Sequence, residues 1–181
     1  LASLQAVIGT GGYTTMRAHT GSVLSMPSLQ SATDLLMYAD GGGRIEVVGP
    51  QASTYSTVGR TSGGTIVSAS GSGSTVDLSS VTSLDAGFND NDGYNVRTQT
   101  VSAAAGGIVN LSGVTTITPP ARVEDVLNVD VTGGGLVNLS SLATVIGTGG
   151  YTTLRAHAGS VLSLPSLESA ADLLLYADGG G

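Results

Sequence analysis

Arg17 and His19 stand two residues apart in Tyr13-Thr-Thr-Met-Arg-Ala-His19, and Arg155 and His157 stand alike in Tyr151-Thr-Thr-Leu-Arg-Ala-His157. An imidazole titrates near neutral pH, so an Arg–His pair beside acids can move a proton or hold an anion. Two residues apart on a strand, the side chains share one face. A pair that returns with its whole surroundings 138 residues later reads as a repeated surface or interface, not as a single catalytic centre. Tyr13, Tyr38, Tyr151 and Tyr176 recur at the same offset, and tyrosine joins an apolar body to a polar tip that suits a coil edge or a contact between chains. These eight residues are the interaction candidates.

A second group offers oxygen ligands. Asp85, Asn89, Asp90, Asn91 and Asp92 lie beside Gly93 in what reads as a turn, and calcium takes several carboxylate and carbonyl oxygens from such a loop. The spacing of the helix–loop–helix calcium motif fails at its first ligand, where Phe88 stands. A solvated Asn/Asp/Gly turn is the competing expectation. Asn110-Leu-Ser112 and Asn138-Leu-Ser140 match the N-glycosylation pattern. No zinc-protease His-Glu pair, phosphate-binding GxxxxGK or dinucleotide fingerprint occurs, and no Ser-His-Asp order is specific in so serine-rich a chain. No catalytic or cofactor-binding residue is assigned; calcium is the ion this loop suggests, and the acidic balance leaves other cations or a basic surface open as partners.

The elements that would carry these groups follow from composition. Of 181 residues, 28 are Gly, one is Phe, and Trp and Cys are absent. The apolar content is largely Val, Leu, Ile and Ala, with Ser and Thr throughout. Branched residues favour extended backbone and glycine permits tight turns, so many short strands are expected and long helices are not. Thirteen acids against six arginines, with no lysine, give a net charge of −7, which speaks against a nucleic-acid partner. No apolar stretch is long enough for a membrane span.

Two repeats organise the chain. Residues 139–181 repeat residues 1–43 with nine differences and no gap. Met16, Met26 and Met37 become Leu154, Leu164 and Leu175, exchanges that nearly conserve volume. Residues 1–181 are therefore expected to form one continuous segment, with 1–138 a full tandem unit and 139–181 the start of the next. Both ends fall inside the pattern, and Leu1 is not an initiator Met, so a fragment or processed product is expected, with further repeats stacked end to end or self-association between chains.

Within the unit, Val76-x-Leu78-x-x-Val81-x-x-Leu84 recurs from Val109, from Val137 and from Leu162, and as Leu24, Met26, Leu29 and Ala32. The first two apolar residues alternate as on a strand, and the intervals of three then require a bend that restores the inward direction. That is the pattern of a polygonal coil around a narrow core. Including Gly43–Val48 and Gly64–Val67 as further coils gives six per unit; five is the alternative. Asp34–Asp40 and Asp172–Asp178 read as solenoid strands. The fold expected is all-β, a right-handed parallel β-helix (β-solenoid) with short irregular coils, ahead of a β-sandwich or β-roll and a leucine-rich repeat.

The long tandem unit, these short coils, abundant Gly/Ser/Thr, acidity and lack of cysteine resemble bacterial surface and secreted β-helical repeat proteins, adhesins and filament-forming exoproteins among them. The resemblance implies an extracellular or cell-surface rod with a spacer or adhesive role, facing a surface glycan or cell-surface partner. Polysaccharide-degrading β-helix enzymes look similar too; on that reading the candidates are Asp77, Arg97, Arg122, Glu124 and Asp125. An ice-binding solenoid would need a Thr ladder, for which Thr14-Thr15, Thr115-Thr116 and Thr152-Thr153 are the nearest material.

Overall fold

The computed structural model describes residues 1–9, 12–50, 53–91 and 93–180. Among them there is no helix, hence none long and apolar enough to cross a membrane. Twenty short strands form three parallel sheets. Sheet A stacks β1 (Ala6–Val7), β4 (Ser31–Thr33), β7 (Ser53–Ser56), β10 (Val81–Asp85), β13 (Thr116–Thr118), β16 (Thr144–Val145) and β19 (Ser169–Ala170). Sheet B stacks β2 (Thr14–His19), β5 (Leu35–Asp40), β8 (Gly64–Ser70), β11 (Thr98–Ala104), β14 (Val126–Thr132), β17 (Tyr151–Ala156) and β20 (Leu173–Ala177). Sheet C stacks β3 (Val23–Ser25), β6 (Arg44–Glu46), β9 (Thr75–Asp77), β12 (Ile108–Asn110), β15 (Leu136–Asn138) and β18 (Val161–Ser163). The chain visits A, B and C in turn and then repeats. It is a parallel β-helix, as its sequence pattern led us to expect.

The bend in the apolar pattern is the passage from sheet C to sheet A of the next coil. Val76 lies on β9, Leu78 at the corner, and Val81 and Leu84 on β10, all buried. Each side chain stacks on its counterparts: Val76 is in register with Val109, and Leu84 with Ile117. Columns of like residues thus build one narrow core.

The unit contains five coils, not six. Ala6, Ser31, Thr54, Ser83, Thr116, Thr144 and Ser169 stand in one column, giving successive coils of 25, 23, 29, 33, 28 and 25 residues. Gly43–Val48 contains a sheet C strand and Gly64–Val67 begins a sheet B strand, so two segments that look like neighbouring coils are different sides of adjacent ones. A strand's apolar pattern does not reveal which side of the triangle it occupies.

Length varies almost entirely at one corner. From core residue to core residue, sheets B and C are eight apart in Met16–Leu24, Met37–Ile45, Val101–Val109 and Val129–Val137, and nine in Val67–Val76. Sheets C and A are eight apart except for ten between Ile45 and Tyr55. Between A and B the separation is five in Ala32–Met37, nine in Val7–Met16, twelve in Tyr55–Val67 and Ile117–Val129, and seventeen in Leu84–Val101.

The constant corner is constant because coils touch there through backbone. Gly133 and Gly134 both have positive φ, a turn that side-chain-bearing residues seldom make twice in succession. Gly107 abuts the preceding coil, where a Cβ would overlap the Ala69 carbonyl. Gly107→Ala is accordingly expected to destabilise by roughly 1–3 kcal/mol, and Leu111→Ala, which empties a fully buried corner, by about 2–5 kcal/mol. Denaturant melts of both variants, with exposed Thr54→Ala as reference, check this.

Candidate functional site

The variable A–B corner gathers most of the unusual polar chemistry. In the longest coil the loop after β10 turns back across the next coil. Its anchor is Phe88, fully buried, whose carbonyl accepts from the Ala121 amide at 3.0 Å. The position that spoils a calcium-loop pattern in the sequence is an apolar plug. Asp85 Oδ1 accepts from the Gly87 amide at 2.9 Å and Asn89 Oδ1 from the Asn91 amide at 3.0 Å, so one oxygen of each closes a local turn. Asn91 is exposed with φ of 56°, and Asp92 lies outside the described residues.

Asp90 goes elsewhere. Its carboxylate lies 3.3 Å from Arg97 Nε and 3.9 Å from Arg122 Nε. Arg122 Nε in turn donates to Glu124 Oε1 at 2.6 Å, which holds the Glu124 carboxyl below its usual range. Asp125 is completely buried; its Oδ1 accepts from the Arg97 amide at 2.7 Å, while its Oδ2 has no partner. Burial pushes the Asp125 carboxyl up, against the Arg97 amide and with the help of Asp90 and Glu124. Oxygens of Asp90, Glu124 and Asp125 lie within 4.8 Å of one another. Four of the five residues named for a sugar-degrading site (Arg97, Arg122, Glu124 and Asp125) therefore meet here. The fifth, Asp77, sits on sheet C.

Asp77 begins a different structure. Asn138 Nδ2 donates to Asn110 Oδ1 at 3.2 Å and Asn110 Nδ2 to Asp77 Oδ1 at 3.0 Å, a ladder along the stack. Each Oδ1 also accepts the amide two residues on, from Ser79, Ser112 and Ser140. The two glycosylation-pattern asparagines are thus rungs whose amide nitrogens are already donating.

The duplicated cassette forms outward ladders on sheet B. Arg17 lies over the Tyr38 ring at 4.9 Å and Arg155 over Tyr176 at 4.5 Å. His19 Nδ1 meets Asp40 Oδ1 at 2.5 Å. His157 lies between two coils, Nε2 3.0 Å from Asp130 and Nδ1 3.9 Å from Asp178. Tyr38 donates to the Thr65 carbonyl at 2.6 Å, Tyr13 is 64% exposed with Arg60 over its ring at 5.2 Å, and Tyr151 opens β17, half-buried. The cassette binds coil to coil.

Sequence reading missed two features. One is a column of hydroxyls on sheet A: Ser31, Thr54, Ser83, Thr116, Thr144 and Ser169. Their registers depend on coils of unequal length, which hides the ladder. By contrast the Thr15 column on sheet B runs into Leu36, and the Thr153 column into Leu174. The other is Asp34, a buried carboxylate at the shortest A–B corner with φ of 54°, whose oxygens the Gly59 and Arg60 amides approach at less than full hydrogen-bond geometry. Gly9 and Gly59 allow it in: a Cβ on either would collide with it. Its counterpart Asp172 has φ of 53° and is faced by Gly147 in the same way.

No protein-family model, curated protein or solved structure matches the chain.

Burial raises the Asp34 carboxyl above its ordinary 3.8, and the Arg60 charge with the Gly59 and Arg60 amides offsets only part of this. The folded state therefore holds that proton more tightly than the unfolded chain. The associated stability is present below about pH 3.8 and is lost as pH rises through the folded value. Asp34→Asn, with a side chain that tolerates this backbone conformation, should melt higher than wild type at pH 7, with the advantage shrinking on acidification. Thermal melts of both proteins from pH 4 to 7 measure this.

Proposed function

We propose that the chain is a segment of an extracellular or cell-surface structural protein, a rod of tandem 138-residue units that acts as a spacer or adhesive stalk. One comparison carries the reading. Met37 and Leu175 occupy equivalent positions on sheet B, yet Met37 is 1% exposed and Leu175 is 56% exposed. The difference is the coil that follows. Val67 lies on Met37, whereas among the described residues no strand lies on Leu175. Around Leu175 is an open apolar cleft of about 490 Å³, lined by Leu154, Ala156, Val161, Leu162 and Leu164 among others. The surroundings that receive the third coil of the first unit are rebuilt there in nearly the same residues. A coil of the kind formed by residues 53–80 fits that end.

The polar ladders support the same reading. Arg–Tyr, His–Asp and Asn–Asn pairs join one coil to the next. A stack so tied resists pulling apart along its axis, which suits a stalk.

The enzyme reading has one observation in its favour, the meeting of Arg97, Arg122, Glu124 and Asp125. Against it, Asp125 is sealed from solvent and Glu124 is held by Arg122, so neither is presented to a polymer as a free base. Release of new chain ends from an acidic polysaccharide would favour the enzyme.

Strands in adjacent coils lie about 4.8 Å apart, so five coils advance the rod by about 24 Å. Extending the chain by one further 138-residue unit should lengthen the particle by that amount without thickening it. Small-angle scattering or electron microscopy of the two proteins tests this. An increase in cross-section, or two bodies moving independently, would overturn the rod.

A further inference from the structure

We propose that Asp90, Glu124 and Asp125 form a calcium site that fastens the longest insertion of the solenoid to the coil beside it. Asp90 comes from the loop between β10 and β11, Glu124 and Asp125 from the corner before β14. Glu124 and Asp125 share the turn closed by the Asp125 amide on the Arg122 carbonyl, and of the run at 85–92 in which calcium ligands are sought by sequence the site takes Asp90 and draws its other two ligands from the next coil.

Three observations converge. First, the geometry suits one cation. Calcium–oxygen distances are about 2.3–2.6 Å, so ligands on opposite sides of an ion lie roughly 5 Å apart. Three oxygens all within 4.8 Å of one another can therefore touch the same ion. Second, among the described groups of the cluster the acids outnumber the arginines. Three carboxylates face two guanidiniums, Arg97 and Arg122, and the chain contains no lysine that could supply another positive group. Arg97 faces one Asp90 oxygen, Arg122 the other, and Arg122 also donates to Glu124 Oε1, so the arginines hold both carboxylates in place. Third, Asp125 is fully buried and its Oδ2 has no hydrogen bond. An unpartnered buried carboxylate oxygen is costly, and a cation is the partner that removes the cost.

Oxygen-only ligands favour a hard cation over zinc or copper. The irregular arrangement, with arginines set among the carboxylates, is unlike the strict octahedron that magnesium requires and within the range calcium accepts. Carbonyls or water would complete the shell.

Binding the ion ties coil to coil at the corner where backbone stacking is interrupted by the largest loop. The expected consequence is a calcium-dependent rise in stability that leaves the strand content unchanged.

Calorimetric titration of the chelator-treated full chain with calcium chloride, repeated with magnesium chloride, tests the site. One calcium per chain is expected, with magnesium weaker. Glu124→Gln and Asp125→Asn should each weaken calcium binding about tenfold or more, while Asp85→Asn and Asn89→Ala, which alter the turn caps, should leave the affinity within about twofold. Circular dichroism establishes that each variant is folded. Glu124→Gln alters a group at the surface of the cluster, so it decides the matter even if Asp125→Asn does not fold. Absence of saturable binding to the folded wild-type chain, or binding unchanged in Glu124→Gln, overturns the proposal.

Discussion

Every coil must pair its backbone with the coils on both sides while its apolar residues fall onto theirs. That single requirement governs the molecule. Parallel strands exchange hydrogen bonds only in register, and a slip of one residue would turn the whole inward set outward. Two corners of the triangle are consequently almost invariant in length, and the third absorbs nearly all variation between five and seventeen residues. The B–C corner cannot vary because glycines such as Gly107 and Gly135 press against carbonyls of the preceding coil. A corner that is free to lengthen is where a repeat protein can place chemistry without disturbing its stack.

The polar groups divide along the same line. On the sheets, polar side chains in register with one another become ladders: Asp77–Asn110–Asn138 on sheet C, the Arg–Tyr pairs on sheet B, the hydroxyl column on sheet A. Repetition supplies the neighbours, as Asp77 and Asn138 do for Asn110 and Tyr38 for Arg17. At the A–B corner repetition gives no such guarantee. There the structure buries Asp34 and Asp125 with carboxylate oxygens that are not fully satisfied. Costs of that sort are tolerated where the fold is already over-determined by its core, and they mark where the molecule can respond to protons or ions.

Much of the architecture was legible in the residues. The V-x-L-x-x-V-x-x-L pattern encodes a strand, a bend and a second strand, because only a polygonal coil turns those intervals inward. The duplicated cassette reads in the sequence as a repeated surface or interface; in the structure Arg17 lies over Tyr38 and His19 beside Asp40, each one coil away. The number of coils was not legible: β6 and β8 look alike in sequence and differ only in which sheet they join. Nor was the acidic cluster, since Asp90 and Glu124 are separated by a whole coil and meet because two unequal loops share a corner. The hydroxyl column escaped for the same reason, its spacing following unequal coils.

By itself, then, the sequence determined the 138-residue period, the inward residues of the recurring motif and the equivalence of residues 1–43 with 139–181, all of which depend on local geometry and on like residues stacking on like. Only the tertiary structure decided which side of the coil each strand occupies, which corner carries the insertions and which distant acids face one another. Those depend on the register between coils. Register is a property of the assembled stack, where the hydrogen bonds of each strand are completed by strands one coil away.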